Sequence, residues 1–598
     1  MGRITSVEQM EMIKKNFGFW VASFAFLLSL NLMGQVGSTN TPRSAYQEIV
    51  YLHHNKALVF AGEQLYYKMY VLQSGTKAMS NFSKIGYVEL VGEDSNVVFR
   101  HKIRLNNGIG QGEFFIPVTV PSGNYKLIGY TQWMKNSDMD HFFKSDIGLI
   151  NPFQNNQTSI AQNLDESNSP SPDTDPGNYE TENTQNRIFT FALNKKTFTF
   201  RDQGILTIKA LQKNSGSYSL SISKLDTIGK TPLLSAQGYM LQQRAADGQK
   251  IIGSTNPDNL PELRGELVSG RIIPKDPNLK LEEEVVALSL PGEQFVLKLT
   301  RTNGNGEFYF NLNQEYQNNG AFVQILGENK DAFAIELDEQ SSINYADLKF
   351  DQLVITPQMT DLILKRSVHN QVENAFIEMK RDTVQPIQQI LPVYRNFSKV
   401  YDLDDYTRFS TIRETASEVL EHVWIHRGNK DGEQLKIRGA EDEIDPNSIP
   451  LVLMDGLLIQ RHSDIIDFDA KRIKKVNLSR EDCVINSIVY KGIIAMETID
   501  GNFHQEFSRD FILETELFSP LPSKRYFNQQ YTARNTSKSA QIPDFREQLL
   551  WLPEVTLEEE TTKIEFYTSD VAGTYEVYLE GFTEQGDPVS WKETFVVK

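Results

Sequence analysis

The chain has 598 residues, with 60 Lys and Arg against 78 Asp and Glu, a net charge of -18 and one cysteine. The charge repels nucleic acid and anionic lipid surfaces, and a lone cysteine excludes both an internal disulfide framework and a zinc-cysteine cluster. At roughly 100 to 200 residues per domain the length predicts about four domains.

The N-terminus carries Lys14-Lys15, a mostly apolar run from Phe17 to Leu30, and the small residue Gly34. This reads as a secretory signal peptide over residues 1–34, because about 14 apolar residues fall short of the roughly 20 that cross a bilayer as a helix. Gln35 stands where a lipoprotein would carry its lipid-bearing cysteine. No later segment is apolar enough to span a membrane. The mature chain is therefore expected to be exported to the periplasm or the outer membrane, or onto the cell surface, with any membrane association running through a protein partner.

A first β-sandwich is predicted over 44–152, with strands at Val88 to Val91 and Asn96 to Leu105 and turns at Asn106-Asn-Gly and Pro121-Ser-Gly-Asn. Residues 153–187 are rich in Asn, Gln, Ser, Asp and Pro and read as a disordered linker, since they cannot bury enough apolar surface to offset ordering. A second sandwich is expected over 188–260, where Phe189 to Leu193, Ile205 to Ala210 and Tyr218 to Ser223 alternate with period two. A third is expected over 261–345, with strands from Leu263 to Ile272 and Val285 to Leu290 and turns at Gly304 and Gly306. Residues 346–409 read as a connecting segment.

The period changes at Thr411, where Ile412, Ala416, Val419, Leu420 and Val423 share one helical face and Thr411 with Glu414 forms a capping box. This is the one helix predicted. Strands resume at Gln434 to Arg438, Pro450 to Ile459, Ile473 to Leu478 and Gly492 to Ile499, so 410–502 reads as a small α+β domain. Residues 503–543 are a second linker, and 544–598 a last sandwich with alternation at Lys563 to Tyr567 and Tyr575 to Glu580.

Three resemblances overlay these elements. Tyr51 to Tyr70, with Gly62-Glu63 before a strand, and Pro121 to Asn136 resemble the second macroglobulin domain of bacterial alpha-2-macroglobulin-like proteins, and Phe545 to Pro553 with Phe566 to Tyr575 resembles a macroglobulin-family domain. Gly265 to Leu337, with Thr302 to Phe310 at its core, looks like the regulatory sandwich of carboxypeptidases and TonB-dependent receptors. The helix at Thr411, Arg438-Gly439, the Pro450 to Gly456 hairpin, the charged stretch Asp469 to Leu478 and Tyr490 to Thr498 together resemble a TonB-dependent receptor plug, whose glycine-rich middle is reduced here to Asn486-Ser-Ile-Val. After Gly501 about a hundred residues remain, too few for a receptor barrel of roughly 22 strands. These resemblances imply a mainly β, multi-domain protein with several immunoglobulin- or macroglobulin-like antiparallel sandwiches and one small plug-like α+β domain.

The chemistry-bearing motifs have plain structural readings. Leu290-Pro-Gly-Glu-Gln is similar to the macroglobulin thioester motif, but Pro291 occupies the cysteine position, so no thioester forms. His53 and His54 are adjacent on a strand and point to opposite faces, which disfavours one shared metal. Asp402, Asp404 and Asp405 lack the further ligands of a calcium loop, and Glu481 and Asp482 oppose a lowered thiol pKa at Cys483. No catalytic, cofactor or metal residues are assigned. The expected function is non-enzymatic protein binding at the outer membrane, with the plug-like domain docking a barrel or a transport or assembly complex. The hairpin tip residues Asp455, Gly456, Leu457 and Leu458 are the candidate contacts. The alternative is non-covalent, macroglobulin-type protease binding without a thioester.

Overall fold

The computed structural model describes residues 47–155, 157, 160, 188–211, 216–225, 228, 233–246, 259–316, 318–386, 397–428, 432–440, 449–531, 541–557 and 560–598. The predicted signal peptide and most of the first linker lie outside these residues. The chain is mainly β and multi-domain, as expected.

The first sandwich stacks a three-stranded sheet (Glu48–His54, Gln64–Gln73 and Ile109–Phe115) on a five-stranded one running from Leu58–Phe60 to Val97–Arg104. The Asn106-Asn-Gly turn has positive φ at Asn107 and Gly108, as a tight hairpin requires. Tyr125 Oη donates to Pro121 O at 2.7 Å. Tyr575 Oη donates in the same i to i-4 manner to Val571 O at 2.9 Å. Both tyrosines follow a Gly-x step at the start of a strand, the arrangement of an immunoglobulin-type tyrosine corner.

The expected second and last sandwiches are one domain. Gly216–Lys224 lies between Gly573–Thr583 and Gln548–Val555 in a five-stranded sheet, and Gln203–Ala210 lies between Phe189–Leu193 and Thr561–Tyr567 in the sheet that faces it. Neither half has strands enough to close a core, so Leu206, Leu220 and Ile222 are buried with Phe566, Val577 and Leu579. Period-two alternation marks a half-buried strand and does not name its partner.

The third sandwich pairs Glu307–Leu312, Glu266–Pro274 and Phe333–Leu337 against Val296–Arg301, Val285–Leu290 and Gly320–Leu326. Ile512–Glu516 completes its second sheet, in register with Gly320–Gln324. The presumed 503–543 linker therefore contributes a strand. The α+β domain is inserted between the two parts of the third sandwich, which is itself inserted between the two parts of the second. Its five-stranded sheet runs Lys399–Asp402, Ile473–Ile485, Ile488–Thr498, Leu451–Met454, Leu457–Leu458.

Four α-helices are present among the described residues, α1 (Ala236–Ala246), α2 (Thr360–Ala375), α3 (Ile412–Glu418) and α4 (Phe503–Glu506). Helix α3 is the predicted one. Thr411 Oγ1 accepts the Glu414 amide at 3.2 Å, and the Glu414 carboxylate reaches back to the Ser410 amide at 2.9 Å. It ends before Val423, which belongs to the strand Val423–Arg427 in a hairpin with Glu433–Ile437. Helix α2 lies in the presumed connecting segment and clamps the first sandwich to the second. Arg366 reaches Glu63 of the first at 2.7 Å and Glu547 of the second at 3.5 Å. Asn370 and Asn374 donate to Ala61 O and Gly62 O, each at 2.9 Å.

Candidate partner-binding site

The hairpin singled out in the sequence forms as expected at its turn. Leu453 pairs with Leu458 and Met454 with Leu457. Asp455 and Gly456 have φ of 48° and 85°, the positive values that a two-residue type I′ connection needs. The tip is not exposed, and this corrects its assignment as a free contact surface. Asp455 accepts hydrogen bonds from the Thr498 amide at 2.7 Å, the Thr498 hydroxyl at 2.6 Å and the Phe503 amide at 3.0 Å. Its carboxylate thus pins the end of the long strand Ile488–Thr498 to the first turn of α4.

Leu457 is buried in the core of the α+β domain, and Leu458 in a seam against the third sandwich. The seam covers the central part of one face of the sheet, with Leu451, Leu453, Ile493 and Leu458 meeting Leu297 and Leu299. At roughly 1.5–3 kcal/mol for each large buried side chain, these six contribute on the order of 10 kcal/mol. Third-sandwich side chains also seal the hairpin's open edge. The Leu458 amide donates to Ser289 Oγ at 3.3 Å, and Gln324 Nε2 donates to Leu458 O at 2.9 Å. A Leu-Leu pair after a hairpin turn needs an apolar partner, and the inserted topology supplies one that a linear reading of domains leaves out.

The opposite face carries α3 and its hairpin. His462 is buried there and accepts the Leu435 amide through Nδ1 at 3.1 Å. Burial and the nearby Lys436 charge push its imidazole down to about 4. A base lowered on folding is neutral in the folded state, so its stabilisation is complete above the usual 6.5 and is lost as pH falls through about 4. At pH 5 the loss is about 2 kcal/mol. His462→Asn keeps an acceptor and cannot titrate, so its stability should fall by about 2 kcal/mol less than that of the parent between pH 7 and 5, as read by urea unfolding at each pH.

Among the exposed parts of this domain is a two-stranded arm, the far end of Ile473–Ile485 and Ile488–Thr498. Its turn at Asn486 and Ser487 has φ of 45° and 68°. Cys483, Ile485, Ile488 and Tyr490 pack toward the third sandwich, and Asn486 Nδ2 anchors the tip on Leu299 O at 2.9 Å. Alternation turns Val484 and Val489, a cross-strand pair, the other way, 53% and 55% exposed. Ile449, 46% exposed, lies beside the arm through its carbonyl bond to the Lys491 amide. Sequence reasoning missed this surface, although the alternation of Cys483 to Ile485 and Ile488 to Tyr490 carries the signal for it.

The other candidate residues have structural partners. His53 Nδ1 lies 2.6 Å from Ser219 Oγ of the second sandwich, and His54 Nε2 lies 2.9 Å from Ser145 Oγ on the other side of the strand. Asp402 accepts the Asp404 amide at 3.1 Å, and Asp404 pairs with Arg408 at 2.6 Å. Cys483 is buried, which raises its thiol pKa. Leu290 to Gln294 line a cavity of about 240 Å³ with Tyr316 and Asn318. Among the described residues no group of three or more His, Cys, Asp or Glu is placed to hold a metal ion, and no helix is long and apolar enough to cross a membrane.

The strand pairing defines a multi-domain antiparallel β-sandwich protein carrying a small inserted α+β domain. No protein-family model matches the sequence, and no curated protein does. Among solved structures the chain is similar to Escherichia coli alpha-2-macroglobulin activated by porcine elastase, at 9% identity and a TM-score of 0.22 over 92% of this chain and 44% of that one. It is also similar to Salmonella alpha-2-macroglobulin reacted with methylamine, at 9% identity and a TM-score of 0.22 over 92% and 40%. A further similarity is to dimeric latent PorU from Porphyromonas gingivalis, at 10% identity and a TM-score of 0.14 over 49% and 33%. The chain spans less than half the length of each of these proteins.

Proposed function

We propose that this chain is an exported, non-enzymatic, modular binding protein that acts at the outer membrane and docks a β-barrel or its transport or assembly complex through the plug-like α+β domain. The observation that carries the reading is the exposed valine pair Val484 and Val489 on the arm. The hairpin tip and most of both sheet faces are already covered, and although Val400 and Ile499 are also exposed elsewhere on the domain, the arm presents its apolar side chains as a cross-strand pair. An exposed apolar pair flanked by the Lys491–Asp482 ion pair at 2.6 Å suits a protein contact better than a lipid one. The sandwiches serve as a rigid mount, because the clamp at α2 joins the first to the second, the Lys102–Glu266 ion pair at 2.7 Å joins the first to the third, and the apolar seam joins the third to the α+β domain. Export is supported by the Lys14-Lys15 and Phe17 to Leu30 pattern, and the outer-membrane address by the resemblance of the Pro450 to Gly456 hairpin to a receptor plug.

The test is a tagged pull-down from gently solubilised outer membranes, comparing the parent with Val484→Asp/Val489→Asp. Both side chains are exposed, so the variant should melt with the parent and lose at least tenfold of the co-purifying barrel, as about 1.4 kcal/mol per tenfold allows for two desolvated charges. Equal recovery by both proteins would remove the arm from the account.

A further inference from the structure

An edge strand presents unpaired backbone groups to any passing chain, and proteins blunt such edges with charges or cover them. This molecule does both almost everywhere. The edge Val296–Arg301 carries Lys298 and Arg301, and Thr561–Tyr567 carries Lys563 and Glu565. Leu457–Leu458 is sealed by Ser289 and Gln324. Among the described edge strands of three or more residues, each is sealed by a neighbour or contains an Asp, Glu, Lys or Arg, with one exception.

The exception is Phe189–Leu193, Phe-Thr-Phe-Ala-Leu, at the edge of the second sandwich. It pairs on one side with Gln203–Ala210. The Leu211 amide bonds Ile188 O at 2.7 Å and the Asn194 amide bonds Ile205 O at 3.0 Å. Even-numbered residues therefore turn their backbone groups inward, and Phe189, Phe191 and Leu193 turn theirs outward to the open edge. The Phe189, Phe191 and Leu193 side chains face the core, where Phe191 stacks on Trp591, while Thr190 and Ala192 are exposed. The strand has no charge, proline or bulge to repel a partner strand.

We propose that this edge is an interface with a second copy of the chain, formed by antiparallel pairing of the two Phe189–Leu193 strands about a twofold axis. Self-pairing sets a strand's own charges against themselves, and among the described edge strands of three or more residues this is the one uncovered edge that brings none. With Phe191 opposite its own copy, Phe189 faces Leu193 and Thr190 faces Ala192. Every outward amide meets an outward carbonyl, and two three-stranded sheets become one of six. On the C-terminal side of the strand Lys195 is paired with Asp202 at 2.7 Å and Lys196 with Glu593 within each copy. The net charge of -18 opposes association at long range, so salt should strengthen the dimer.

Sedimentation velocity on the full chain tests this. The parent should dimerise with rising concentration, more so at higher salt. Thr190→Lys/Ala192→Lys changes two exposed side chains, so it should melt with the parent and remain monomeric. Thr190→Lys/Ala192→Glu should restore the dimer, because the register sets each lysine beside a glutamate of the other copy. A monomeric parent at all concentrations and salts, a dimer indifferent to the lysine pair, or a Lys/Glu variant that stays monomeric would each overturn the proposal.

Discussion

Arg366→Ala should lower the stability of the intact chain by about 3 to 5 kcal/mol, the range for removing one partner of a buried ion pair. Arg366 is 6% exposed and lies between two carboxylates from different sandwiches. Its guanidinium also donates to Leu58 O at 3.0 Å and stacks on the Phe60 ring with its centre 4.3 Å from the centroid. Alanine removes the charge, the fork and the packing together, and leaves Glu63 and Glu547 buried without it. Arg366→Lys keeps the charge and loses the fork, so it should fall between the two. The variant should also behave differently in acid. Burial alone would raise the Glu547 carboxyl, but the His369 hydrogen bond and the Arg366 charge hold it at about 2. A carboxylate depressed on folding stabilises fully above its usual range near 4.5, and that contribution disappears as pH falls through about 2. Without Arg366 much of this acid-sensitive contribution should already be absent at neutral pH. Urea unfolding at pH 7 and pH 3 reads both effects, and a loss under about 1 kcal/mol at pH 7 would show that α2 does not clamp the sandwiches.

Gly456→Ala should open the seam between the α+β domain and the third sandwich, at a cost of about 2 to 5 kcal/mol. A Cβ at this position would lie 2.2 Å from Phe295 Cβ, while φ of +85° is already costly for any residue but glycine. The left-handed conformation costs roughly 1–2 kcal/mol, and overpacking typically adds about 1–3 kcal/mol. The two parts can be separated. Phe295→Gly in the Gly456→Ala background removes the Cβ that the new methyl meets and leaves the backbone strain, so the double variant should lose less than the sum of the two single losses, with a coupling energy of opposite sign to the single effects. Hydrogen exchange at Leu457 and Leu458 should rise in Gly456→Ala and fall back in the double variant. Unchanged protection would mean that the seam tolerates the methyl and is looser than its geometry.

Most individual strands were legible because a half-buried antiparallel strand writes its own pattern. Phe189 to Leu193 and Val285 to Leu290 match their predicted limits, and the Thr411 cap sits where its side chains require. Strand partners were not legible. Gly216–Lys224 looks complete as a sequence, yet its neighbours Gln548–Val555 and Gly573–Thr583 come from the other end of the chain. Helix α2 was missed because its buried face carries Arg366, Ser367, Asn370 and Asn374 while Leu364 and Val368 are exposed. An inverted helix of this kind gives no apolar periodicity to detect. The hairpin tip was read correctly as a turn and wrongly as free, since the chain partner that buries Leu458 lies some 160 residues earlier, at Leu297 and Leu299.

The most direct test of the docking account is site-specific photo-crosslinking in intact cells, with a benzophenone side chain at position 489 on the arm and, as control, at position 457 in the buried hairpin. The account predicts an adduct with an outer-membrane barrel or its associated complex from position 489 and none from 457. Adducts with a soluble protease instead, or no adduct from position 489, would contradict it.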